Sequence, residues 1–95
     1  MDIENLNQPI AGEKFHFRVT GGTRPTHIEV YIDRLAIRVT DCPDPPCHEM
    51  VAIPHGTIGA ELLVIARDTQ GNVEERSFII GDAETSVGEL VTADV

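Results

Sequence analysis

Tryptophan is absent, tyrosine and lysine occur once each, and cysteine, methionine and serine twice each in this chain of 95 residues. Each scarcity removes a class of function. One lysine and six scattered arginines, set against 16 acidic residues, cannot form the clustered basic surface that nucleic acid or an anionic membrane attracts. Ser77 and Ser86 lie in no nucleophile elbow, so no hydrolase signature is present. No apolar run approaches the roughly 18 residues that span a bilayer, which argues against membrane insertion. The opening residues, Met1 to Asn5, lack the basic and then apolar regions of a secretory signal. Localisation is therefore conditional: periplasmic or extracellular if the two cysteines are bridged, cytoplasmic otherwise.

What is present suffices for one core. A hydrophobic content of 41% with 24% charged residues is ordinary for a globular domain. At this length folding hides only about 60–70% of the open chain's surface, enough for a core but not for a deep cavity as well. The formal charge of −9 is unevenly placed: residues 10–81 hold ten acidic against seven basic side chains, a balance of −3. The other six negative charges belong to Asp2, Glu4, Asp82, Glu84, Glu89 and Asp94. The chain thus divides into an N-terminal segment, 1–9, expected to be an edge strand or flexible, a domain at 10–81, and an acidic tail at 82–95, expected to be flexible.

The dominant pattern within the domain is alternation with period two, bounded by Gly, Pro, Asn and Asp, which predicts strands. Phe15, Phe17 and Val19 make one dry face; Ile28, Val30 and Ile32 make another; Leu35, Ile37 and Val39 a third. A phase slip at Asp33 and Arg34 joins the last two strands by a tight turn or bulge. Met50 to Ile53 forms a short fourth strand. Ala60 to Asp68 is apolar on both faces at Leu62, Leu63, Val64 and Ile65, as suits a strand central to its sheet or covered by a partner. Thr69-Gln70-Gly71-Asn72 then reverses the chain into Val73 to Ile80, which pairs with it antiparallel. No segment has the spacing and caps of a helix. The fold class is all-β: a two-sheet antiparallel sandwich of six or seven strands, with a small barrel as the rival.

The stretch from about Ile10 to Ile80 resembles the immunoglobulin-like or fibronectin type III-like domains of many bacterial surface and enzyme-associated proteins. The resemblance is carried by Ala11-Gly12-Glu13, by His27-Ile28-Glu29-Val30-Tyr31-Ile32-Asp33, and by Ile58-Gly59 leading to Ala66-Arg67-Asp68-Thr69-Gln70-Gly71-Asn72. It implies a fold and not a function. No tryptophan is there to pack at the centre, and Cys42 and Cys47 are too close in sequence to be the sheet-bridging pair of antibody domains.

Cys42-Pro43-Asp44-Pro45-Pro46-Cys47, followed by His48 and Glu49, is the least random segment. A disulfide closing this small ring would contribute roughly 2 kcal/mol, less because proline already restricts the unfolded chain. Redox catalysis would need a CxxC spacing at a helix N-terminus, which is missing. Cys42, Cys47, His48 and His55 make a weak candidate metal set, and adjacent Cys47 and His48 on an extended chain point to opposite sides. A blue-copper site fails because Cys47, His48 and Met50 are crowded together without the loop that spreads such ligands. His16 and His27 occupy polar strand phases, solvent-facing unless they meet across paired strands. Glu74 and Glu75 face opposite ways, and Gly21-Gly22 leads to no helix that could meet a phosphate. Arg18, Arg34, Arg38, Arg67 and Arg76 are expected in cross-strand pairs with Glu29, Asp33, Glu61, Glu74 and Glu75.

No catalytic constellation emerges and no cofactor is expected. The leading expectation is a non-catalytic module that binds another protein or itself, as a homodimer, or acts as a spacer. Its interface candidates are Tyr31, Leu63 and Ile65, because Leu63 and Ile65 form a patch if their face is not core. Its loop candidates are His48, Glu49, Pro54 and His55. The alternative is an accessory or carrier subunit for metal or sulfur chemistry that works through the Cys42–Cys47–His48 loop.

Overall fold

A computed structural model describes residues 1–83, whose seven elements are all β-strands. They are β1 (Asp2–Asn5), β2 (Lys14–Thr20), β3 (Thr26–Ile32), β4 (Leu35–Cys42), β5 (Cys47–Ala52), β6 (Glu61–Arg67) and β7 (Val73–Ile79). Two antiparallel sheets pack face to face: three strands in the order β1-β2-β5, and four in the order β4-β3-β6-β7. The fold is the expected all-β antiparallel sandwich. Residues 84–95, and with them most of the acidic tail, lie outside the described residues.

The inward phases supply the core. Phe15, Phe17 and Val19 of β2 face Ile28, Val30 and Ile32 of β3 and Leu62, Val64 and Ala66 of β6, all at most 4% exposed. Phenylalanine takes the place that tryptophan leaves open: the Phe15 ring lies 5.8 Å from Phe17 and 5.3 Å from Phe78, centroid to centroid. β1 adds Ile3, 2% exposed, so the N-terminal segment contributes an edge strand and a core residue to the sandwich. β6 is central to its sheet, flanked by β3 and β7, as its two apolar faces required.

The connections follow their turn chemistry. β3 and β4 are joined by Asp33 and Arg34, both at positive φ (50° and 69°), the left-handed pair that matches the twist of a two-residue hairpin. β6 and β7 close through Thr69 to Asn72 with Gly71 at φ 84°. Asp68 holds this hairpin: its carboxylate accepts from the backbone of Thr23, Gln70 and Asn72 and from the Asn72 side chain, at 2.8–3.0 Å. These donors hold its pKa down at about 2.

Three expectations need correction. The fourth strand begins at Cys47, not Met50, because its pairing with β2 runs from Val19–Cys47 to Lys14–Ala52. The proposed dry face of β4 is not dry: Leu35 is 72% exposed, Val39 59% and Ile37 37%. Ile37 is an extra residue in a bulge opposite Val30 and Tyr31, and beyond it Val39 stands opposite Glu29 on the outer face. The inward phase of β4 instead holds Arg38, still half-exposed at the sheet edge, where it meets Glu49 of β5 at 3.1 Å, and, further along, the buried Cys42. The arginines therefore do not all pair across neighbouring strands. Arg18 joins Glu4 of β1 within its sheet, whereas Arg76 reaches Asp2 across to the other sheet, at 3.0 Å.

Candidate functional site

The register of the four-stranded sheet places its outward residues in rows. Directly opposite residues of an antiparallel pair share a face, so Tyr31 of β3, Leu63 of β6 and Ser77 of β7 form one row. Val39, Glu29, Ile65 and Glu75 form the next, and Asp41, His27, Arg67 and Val73 the one after. The core-facing partners on the same strands, Val30, Ile32, Leu62 and Val64, fix this assignment. Tyr31, Leu63 and Ile65 are thus brought together on the face turned away from the core. With Arg34 and Glu61 they line a shallow depression of about 210 Å³.

Charge surrounds this apolar floor. Glu29 accepts a hydrogen bond from the Tyr31 hydroxyl and lies 3.2 Å from His27 Nε2 and 3.7 Å from Arg67 Nε. The Tyr31 hydroxyl is the main influence lowering the Glu29 pKa, partly opposed by burial and assisted by Arg67 and His27. The same bond raises the Tyr31 pKa, since the phenol donates to a carboxylate. His27 also meets Asp41 Oδ1 at 2.8 Å. The rim therefore carries both signs: Arg34 and Arg67 on one account, Glu29, Glu61 and Asp41 on the other.

The loop candidates do not converge. Cys42 and Cys47 are joined by a disulfide that links an edge strand of one sheet to an edge strand of the other, with Cα atoms 6.1 Å apart. His48 points from the outer face of the small sheet, while Glu49 turns inward to Arg38. Pro54 and His55 follow the opposite end of β5, where the His55 ring packs so closely on Gly12 that a side chain there would overlap it. The candidate metal set of Cys42, Cys47, His48 and His55 is therefore not assembled, because the bridge consumes both thiols and the strand separates the histidines. Among the described residues no three His, Cys, Asp or Glu side chains gather around one point. No described helix is long and apolar enough to cross a membrane.

His16 and His27 do not meet, since they lie on different sheets. Instead His16 Nδ1 stands 3.1 Å from His48 Nε2 on the outer face of the small sheet. Sequence reasoning missed this pair, which depends on the β2–β5 register; the alternation of His48 and Met50 along one strand was its only trace. Compared with protein-family models, with curated proteins and with solved structures, the chain matches none.

Proposed function

We propose that the chain is a non-catalytic, immunoglobulin-like or fibronectin type III-like module that docks protein through the outer face of its four-stranded sheet. The observation that carries this reading is the position of Leu63 and Ile65. Leu63 and Tyr31, both half-buried, lie on the face that the sandwich leaves uncovered, with Ile65 beside them at only 8% exposed. Such a floor, bordered by charge and including a tyrosine with an apolar ring and a polar tip, has the composition of a contact surface. The strand order β1-β2-β5 and β4-β3-β6-β7 supports the family reading. The disulfide supports an oxidising compartment.

The mixed rim favours a second copy as the occupant. Arg34 and Glu61 lie at the same end of the sheet, so a two-fold axis in the interface that runs along the strands would carry Arg34 of one copy toward Glu61 of the other, whereas a partner of a single charge sign would meet like charge. Sheet faces of this size, about 20 Å on a side from strand length and spacing, fall at the low end of specific interfaces. The pairing is accordingly expected to be concentration-dependent.

Sedimentation equilibrium from micromolar to millimolar concentration tests this. The expected result is a shift from 10.4 kDa toward twice that mass, abolished by Leu63→Glu with the fold retained. A wild-type chain that remains monomeric at millimolar concentration overturns self-docking. Association that survives Leu63→Glu and Tyr31→Ala overturns the choice of face.

A further inference from the structure

We infer that the outer face of the three-stranded sheet holds a site for a soft monovalent cation, Cu(I), formed by His16, His48 and Met50. The inference is independent of the protein-docking surface, which lies on the other sheet. His16 of β2 is the direct register partner of Met50 of β5, and His48 stands two residues before Met50 on the same strand. All three project to one side, since the alternate residues Phe15, Phe17 and Val51 are buried. Met50 is 44% exposed, so its thioether is not committed to the core.

The two imidazoles are already spaced as ligands. Nitrogens bound at roughly 2.0–2.1 Å to one ion at a tetrahedral angle lie about 3.3 Å apart. His16 Nδ1 and His48 Nε2 are 3.1 Å apart. In the metal-free pair one nitrogen donates its N–H to the other. Both become ligands when that proton moves to the second nitrogen of its own ring, so each imidazole stays neutral and no proton leaves the protein.

The donor set and its surroundings select the ion. Two imidazoles and a thioether supply no negative charge, and a thioether is a soft ligand suited to Cu(I). Arg18 shares the face opposite His48, but its guanidinium is held by both carboxylate oxygens of Glu4 at 2.9 and 3.0 Å. Lys14, two residues before His16, adds a positive charge on the same side. A divalent ion would meet that charge without a compensating carboxylate ligand, whereas a monovalent ion meets half the repulsion.

The test is anaerobic titration with Cu(I), kept reduced by ascorbate, against a chromogenic chelator, with Zn(II) as the competing probe and the Met50 methyl signal followed by NMR. The expected result is one equivalent of Cu(I), a shifted Met50 methyl, and no displacement by equimolar Zn(II). His16→Gln and His48→Gln should each remove binding. Met50→Leu should weaken it by at least the 10- to 100-fold, in order of magnitude, that even outer-shell changes bring. His27→Gln, on the other sheet, should leave it unchanged. Binding that is equal in wild type and His16→Gln, an unmoved Met50 methyl, or displacement by Zn(II) overturns the inference. All four positions are at the surface, and retained circular dichroism separates loss of the ion from loss of the fold.

Discussion

Thr26 opens β3 directly opposite Cys42 and is fully buried, yet its hydroxyl oxygen has no hydrogen-bond partner among the described residues. A buried hydroxyl without a partner costs about 1–3 kcal/mol, because it gave up water and received nothing in exchange. Thr26→Val replaces that oxygen with a methyl of similar size and adds about 0.8 kcal/mol of apolar burial. The expected gain is about 1–2 kcal/mol, and a domain of this size shifts its Tm by roughly 4–8 °C per kcal/mol. Thr26→Ser is the complementary change: it keeps the oxygen and deletes the methyl, and should cost about 1 kcal/mol. Thermal and urea unfolding followed by circular dichroism under non-reducing conditions should therefore rank valine above threonine above serine, at a common urea slope. Threonine more stable than valine would refute the reasoning, for it would mean that the hydroxyl is bonded.

Two further outcomes follow from the turns. Asp68 has its pKa lowered from 3.8 to about 2 in the folded chain, so its stabilising contribution is complete above pH 4 and is lost as pH falls toward 2. Asp68→Asn should flatten the stability–pH curve in that window; an unchanged acid limb would show that Asp68 is not its source. Arg34 adopts φ 69° without being glycine, so Arg34→Gly should stabilise the β3–β4 hairpin by roughly 0.5–1 kcal/mol, read as a higher urea midpoint, and a lower midpoint would contradict the turn geometry.

The strands that lie inside the sandwich were legible because alternation reports burial directly. β2, β3 and β6 each show an apolar phase in sequence and a buried one in space. The slip at Asp33 and Arg34 was legible too, because a reversal of phase has few structural causes. β4 was misjudged for a physical reason. Leu35, Ile37 and Val39 announce an apolar phase, but the sequence does not say whether another layer covers it, and this edge strand bulges and turns Arg38 inward instead. The candidate surfaces divide in the same way. Leu63 and Ile65 could be grouped from the doubled apolarity of one strand, whereas Tyr31 joins them only through the β3–β6 register, and His16 and His48 meet only through a pairing between segments 32 residues apart. Hydrophobic pattern marks the two faces of a strand where another layer covers one of them; it does not fix which distant strand lies beside it.

After β7 the chain is fastened where β1 leads into β2. Gly81 donates to the Pro9 carbonyl at 2.9 Å and accepts from the Ala11 amide at 3.0 Å, in a parallel arrangement with Ile10. Tension drawn from residue 9 in one direction and from residue 81 in the other would run lengthwise along these two segments. Both bonds would then carry load at the same moment, as in a lap joint, instead of opening one after the other like a zip. A pull applied between residues 9 and 81 would therefore load these two bonds in shear.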